Sequence, residues 1–177
     1  MITLRKITDD NYDDLLKLRV TEDQSEELDW DIPTALEHAK NGEGQGETLA
    51  IYKDELPIGL VKITHFKIAH DDYNHIHFGD IACYGISRFL IDENHQGRGY
   101  GKQGLLKTID YIKTYPLGSA SAISITYFYS NDIARKLYES VGFIETGEKW
   151  DGDTFEAWDE SRTDDEEMAE LGARLVL

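Results

Sequence analysis

Apolar positions along the chain recur with two periods, two and about 3.6, and each switch between them marks an element. Residues 2–8, ITLRKIT, alternate and predict a first strand. Asp9 and Asp10 offer an N-cap before Tyr12, Leu15, Leu16 and Leu18, which follow at helical spacing. A second helix is predicted from near Pro33 to Lys40, with Asp31 as cap and the proline tolerated in its first turn. NGEGQGE (41–47) reads as a loop, and TLAIYKDELPIGLVKIT (48–64) as a hairpin turning at Asp54-Glu55. Residues 65–80 are polar, rich in histidine and show neither period. IACYGISRFLID (81–92) is a long strand, a helix runs from about Tyr100 to Thr114, and SAISITYF (121–128) is another strand. Asn131 caps a further helix, IARKLYESVG, which stops at Gly142. FIETGEKW and DTFEAWD form a last hairpin around Asp151-Gly152.

Beyond Glu160 a block of acids, Asp164 to Glu167, precedes Met168, Leu171 and Leu175 at helical spacing. That predicts a docked helix, a dimer contact or a partly disordered tail. No repeat or linker interrupts the pattern. The division expected is one mixed α/β domain over 1–158 and an acidic tail, helical where the apolar residues recur, over 159–177.

Composition narrows the function. With 177 residues and 40% hydrophobic content the chain suits one globular domain with a core. No stretch is apolar and long enough to span a bilayer, and MITLRKITDD lacks the apolar middle of a signal peptide, so the expectation is a soluble cytoplasmic protein without a membrane partner. Cys83 is the only cysteine and is expected to be a buried, inert thiol. The formal net charge of −17 disfavours nucleic acid and suits cationic partners such as polyamines or basic peptides, though it also serves solubility.

The chemistry concentrates in FLIDENHQGRGYGKQG (89–104), a strand running into Gly97, Gly99, Gly101 and Gly104 at a helix start. A Walker loop fails, because Gln96 stands where its first glycine belongs and Gln103 where its Ser or Thr belongs. Gly99, Gly101 and Gly104 fit G-x-G-x-x-G, but polar residues separate them from the strand and the next strand carries no acid for a ribose. Successive N–H groups from about Gly97 to Lys102 at a helix N-terminus suit a pyrophosphate held without metal. Arg98 and Lys102 add positive charge there.

Gln96, Gly99 and Gly101 form Q-x-x-G-x-G, and RFLIDENHQGRGYGKQGLL resembles the acetyl-CoA-binding segment of the GNAT (GCN5-related) N-acetyltransferases. SNDIARKLYESVGFIETGE resembles that family's next segment, in the right order and at the right distance. The resemblance implies the GNAT fold, a mixed central sheet of about six to seven strands flanked by about four helices. It implies acetyl-CoA as cosubstrate, held by Gln96, Gly97, Arg98, Gly99, Tyr100, Gly101 and Lys102. The pantetheine arm would lie along the backbone of Phe89, Leu90 and Ile91, where an N–H would also stabilise the oxyanion. Tyr138 takes the position of the family's general acid, and Asn131 would reach the cofactor arm besides capping its helix. Many relatives carry a carboxylate on the strand before the loop. Here that stretch reads Tyr84-Gly85-Ile86-Ser87, so the base stays open between a water chain, Asp80, His77 and an acid of the first helical region.

The acceptor reading rests on TEDQSEELDWDIP (21–33), with six acids between Glu22 and Asp31 and no Lys or Arg. Glu22, Glu27 and Trp30, with Asp80, are candidates to line a cationic amine by charge and cation–π contact. The wording RFLID…QGRGYGK and the hairpin GEKWDGDTFEAW are similar to the spermine/spermidine acetyltransferase branch. The leading expectation is therefore N-acetylation of a small primary amine, with a polyamine favoured. A protein N-terminus, an amino acid or an aminoglycoside is the second reading, and a non-catalytic acyl-CoA sensor the third. His75 and His77 with Asp71, Asp72 and Asp80 make a polar surface loop rather than a metal site, because metal ligands must converge in space.

Overall fold

Burial on both faces of the first hairpin sets the layering. Leu49, Ala50, Ile51 and Tyr52 are buried in succession, which a strand permits only when both its faces are covered. A computed structural model of the chain describes residues 1–21, 24, 32–42, 46–66, 81–150, 155–157 and 170–177. Its contacts divide into two units, residues 1–64 with 87–114 and residues 65–86 with 115–177.

The first unit holds β1 (Ile2–Lys6), α1 (Asp9–Leu15), α2 (Ile32–Asn41), β2 (Glu47–Lys53) and most of β3 (Leu56–Phe66). The second half of β4 (Cys83–Ile91) and α3 (Tyr100–Ile112) complete it. β1, β2 and β3 run antiparallel in that order, with β4 next to β3. The expected turn is present at Asp54-Glu55, with Asp54 at φ 55°. On one face of the sheet Ala50, Tyr52, Leu60 and Leu90 pack with Leu15, Leu18 and Leu36 of the first helical region. Ile51 and Phe89 meet the buried face of α3 at Gly104. The N-cap of α1 is Thr8 rather than Asp9 or Asp10. Thr8 is extended and its N–H donates to Asn11 Oδ1 at 2.9 Å. The two acids fall in the first turn, where the helix dipole favours negative charge.

The second unit holds the first half of β4, β5 (Ala122–Phe128), α4 (Asp132–Glu139), β6 (Ile144–Trp150), β7 (Phe155–Ala157) and β8 (Glu170–Val176). Its strand order is β4-β5-β8-β6-β7. β4 and β5 pair in parallel through Cys83–Gly85 and Ala122–Ser124. Cys83 is fully buried, as expected of an inert thiol. The Tyr84 hydroxyl donates to Gly118 O and accepts from Leu117 N–H, both at 2.9 Å, and so pins the segment after α3.

The fold class is the mixed α/β one expected, with four α-helices among the described residues. Among the described residues there are eight strands, in line with the six to seven or so expected, and the tail supplies the additional one. The helix expected around Leu171 and Leu175 is instead β8, inserted antiparallel between β5 and β6. A spacing of four satisfies period two as well as period 3.6. Ala173, small and buried, completes the alternation Leu171-Ala173-Leu175 that the strand uses. Glu160–Ala169, with the acid block, and the Asp151-Gly152 turn lie outside the described residues. Among the described residues no helix is long and apolar enough to cross a membrane.

Deleting residues 170–177 removes the partner of β5 from Ala122 to Phe128 and two buried side chains, Leu171 and Ala173. The expected result is a thermal midpoint lower by about 10 °C, read by circular dichroism. An unchanged midpoint would mean that β8 adds nothing to the second unit.

Candidate active site

The corner between β4 and α3 is built on Asp92, a buried carboxylate that the sequence reading passed over. Its N–H donates to Ile58 O at 2.8 Å. Its Oδ2 accepts from the Arg19 N–H at 2.9 Å, and its Oδ1 from the Asn94 N–H at 3.0 Å and Asn94 Nδ2 at 3.2 Å. Glu93 N–H returns a bond to Arg19 O at 2.9 Å. The carboxylate thus caps a single 3-10 turn, Glu93–His95, and ties it to the chain after α1. Asp two residues before Asn is an Asx-turn spacing, and that was the signal available.

Gln96 is a brace. Its side-chain Nε2 donates to Ile91 O and to Gln24 Oε1, both at 2.8 Å. The turn that follows needs glycine for its torsions. Gly97 has φ 70° and Gly99 φ 75°, the left-handed region, and the space around both is open. Gly104 lets the helix sit close, since a Cβ there would lie 3.3 Å from Ile51 Cδ1 and 3.4 Å from Phe89 Cζ and those side-chain ends would have to give slightly.

Gly99 is the N-cap of α3, so Tyr100, Gly101 and Lys102 offer N–H groups that helix geometry leaves without intrahelical acceptors. The first intrahelical bond there is Gln103 N–H to Gly99 O at 3.3 Å. No acid lies in that first turn, and Arg98 and Lys102 are exposed beside it. The dipole adds roughly +0.5 charge at this end. The arrangement suits a flexible, multiply charged anion. Leu90 and Ile91 bury their side chains, which leaves the backbone of β4 as what they can offer a ligand.

In the second unit Asn131 Oδ1 accepts from the Ala134 N–H at 2.9 Å and caps α4, as predicted. Tyr138 is buried on that helix, its ring 5.4 Å from that of Tyr127 and 6.1 Å from that of Phe143. Burial pushes its hydroxyl pKa well above the ordinary tyrosine range, so it keeps its proton at any neutral pH. Burial, and then the hydrogen bond to Glu145, raise Tyr127 likewise. Glu22, Glu27, Trp30 and Asp80 lie outside the described residues, as do His75, His77, Asp71 and Asp72.

The acetyltransferase (GNAT) family model matches residues 5–143, a span that includes both the glycine corner and α4. The chain belongs to that family. It is 29% identical over 147 residues, 83% of this chain and 90% of the relative, to the spermine/spermidine N(1)-acetyltransferase of Bacillus subtilis strain 168. A probable spermine N(1)-acetyltransferase of Bacillus subtilis subsp. natto is 28% identical over the same coverage. Among solved structures, the aminoglycoside N(6')-acetyltransferase of Legionella pneumophila superposes with a TM-score of 0.67 at 13% identity, covering 99% of this chain and 91% of that one. Arabidopsis thaliana NAA60 in complex with acetyl-CoA gives 0.63 at 13% identity, over 100% and 99%. These structural likenesses speak for the fold. As a GNAT protein the chain is an N-acetyltransferase, which agrees with the resemblance read from Q-x-x-G-x-G.

The shifted tyrosines in this acetyltransferase fix the sign of a pH effect. In the unfolded chain Tyr127 and Tyr138 lose their protons near pH 10, and in the folded chain later. Above about pH 10 the folded state therefore binds more protons, and stability falls as pH rises. Tyr138→Phe is expected to flatten the fall between about pH 9 and about pH 11 in urea titrations, and an unaltered slope would contradict the shift.

Proposed function

We propose that the protein transfers the acetyl group of acetyl-CoA to a primary amine by direct attack in a ternary complex, and that a polyamine such as spermidine or spermine is its favoured acceptor. The observation that carries this reading is the left-handed corner at Gly97 and Gly99, opening α3 with N–H groups that helix geometry leaves without intrahelical acceptors, in a chain of net charge −17. Such a corner is of little use for general electrostatics in an acidic protein. It suits a diphosphate, whose oxygens take backbone N–H groups without needing a metal.

Each unit offers groups of the kind this cosubstrate needs. Gly97 and Gly99 have open space where a side chain would have intruded. Tyr100, Gly101 and Lys102 present their N–H groups to the diphosphate, and Arg98 and Lys102 add charge. The backbone of Phe89, Leu90 and Ile91 takes the pantetheine arm as an added strand. Asn131 caps α4 through its side-chain oxygen, and the family resemblance places it near the arm as well. Gln96 serves by holding the corner through Ile91 O and Gln24. When bound, acetyl-CoA supplies a thioester activated toward amines. Tyr138 then holds the proton for the leaving sulfur, and its burial keeps that proton in place.

The polyamine rests on three supports. A relative with 29% identity is named a spermine/spermidine N(1)-acetyltransferase. The chain carries Glu22, Glu27 and four further acids around Trp30, a composition that favours a polycation. The overall charge draws cations toward the protein.

Thiol release from acetyl-CoA with spermidine, spermine, lysine, an aminoglycoside and a short peptide tests the reading. Fast release with the polyamines is the expected outcome, and release with another amine alone would discard the polyamine. Tyr138→Phe is expected to lower kcat by about 10²-fold or more while coenzyme A still binds. Unchanged turnover would remove Tyr138 from the acid role. Gly99→Ala is expected to weaken coenzyme A binding about tenfold in calorimetry, since alanine strains the left-handed cap.

A further inference from the structure

In the second unit one carboxylate oxygen joins three elements. Glu145 Oε1, on β6, accepts a hydrogen bond from the Tyr127 hydroxyl on β5. The same oxygen accepts from Arg135 Nε on α4 at 2.8 Å. Arg135 precedes Tyr138 by three residues on that helix, so the two lie on neighbouring positions of one face. The Tyr127 ring is 6% exposed and tilts at 57° against the Tyr138 ring, while Phe143 meets Tyr138 at the same angle.

Phenylalanine at position 127 would fill the same volume. The hydroxyl adds an anchor: it holds the far end of the Tyr127 ring to a charged acceptor, the stronger kind of hydrogen bond. A tyrosine ring has two torsions, and packing plus a bound hydroxyl settle both. Tyr138 packs against that settled ring. Its helix is also tied to the same carboxylate through Arg135, which is further steadied by Asp132 at 3.9 Å and by the Tyr129 ring at 5.2 Å. Glu145 therefore acts on Tyr138 by two routes, a neighbouring ring and its own helix, without touching it.

We propose that Glu145 is a positioning residue for acetyl transfer, setting where the Tyr138 hydroxyl stands through Tyr127 and Arg135. This rests on the reading of Tyr138 as the proton donor. The effect belongs to the chemical step, because a displaced donor costs transition-state stabilisation and leaves cosubstrate binding alone.

The test is steady-state kinetics with acetyl-CoA and the fastest amine of the panel above, on Glu145→Ala, Glu145→Gln, Tyr127→Phe, Tyr138→Phe and the Glu145→Ala/Tyr138→Phe double variant. Glu145→Ala is expected to lower kcat about tenfold and to leave the KM for acetyl-CoA within about twofold. Glu145→Gln keeps an accepting oxygen and should recover at least half of the lost kcat. Tyr127→Phe removes the ring route alone and should lower kcat in the same direction but by less than Glu145→Ala, again with the KM for acetyl-CoA within about twofold; it also carries the test should Glu145→Ala fold poorly. On the Tyr138→Phe background, Glu145→Ala should have no further effect, because the group it positions is gone.

Wild-type kcat in both Glu145→Ala and Tyr127→Phe, with turnover lost in Tyr138→Phe, would overturn the positioning role and leave the donor standing. An equal loss on both backgrounds would also overturn it, as a purely structural effect. Turnover retained in Tyr138→Phe would instead overturn the donor role on which it rests.

Discussion

A buried carboxylate must be satisfied, and the corner that opens α3 depends on how Asp92 is. Three donors converge on its two oxygens: the Arg19 backbone, and the backbone and side chain of Asn94. Those bonds fix where β4 ends and in what direction the chain leaves it. Gln96 then fastens the turn back onto Ile91, the last residue of the strand. Only after this frame is in place do the left-handed torsions of Gly97 and Gly99 aim the first turn of α3. The glycines permit the shape; Asp92 and Gln96 impose it. An anion site made of backbone N–H groups has no adjustable side chains, so its accuracy is that of its frame.

Much of this is legible in the sequence, for reasons that differ by element. β2 and β3 are visible because two short apolar runs flank Asp54-Glu55, and local chemistry decides a hairpin. α3 and α4 are visible because their apolar faces recur at helical spacing beside a glycine corner and an asparagine cap. β8 is not, because Leu171 and Leu175 satisfy two periods at once and only the partners, far away in sequence, choose between them. The cap of α1 is missed by one residue, Thr8 instead of Asp9, since both types cap well and the backbone alone distinguishes cap from first turn.

The site divides in the same way. Glycine spacing shows Gly97 and Gly99 because left-handed torsions need an unusual residue. Asp92 looks like one acid among 35 Asp and Glu until its burial is known. Gln96 stands in the motif as a residue expected at the cosubstrate, and its side chain fastens the loop, a role that a motif cannot separate from contact. Tyr138 is conspicuous by its place after Asn131, but the raised pKa comes from burial, which no pattern of letters states. Glu145 is silent in the sequence altogether. Its meaning lies in bonds to Tyr127 and Arg135, 18 and 10 residues away.

The insertion of β8 has a consequence for the order in which the chain is assembled. β5 pairs in register from Ala122 with Val176 to Phe128 with Glu170, so every one of those bonds closes a loop of at least about forty residues. During synthesis residues 122–128 emerge well before residues 170–176. For that interval β5 is an apolar strand with an open edge, carrying two isoleucines and two aromatic residues, a template for pairing with other chains. The first unit has no such delay, because β1, β2 and β3 find each other within the first 66 residues. Newly made chains therefore pass through a stage in which the glycine corner's unit can already close while the tyrosine-bearing unit still waits, and aggregation of this enzyme would begin at β5.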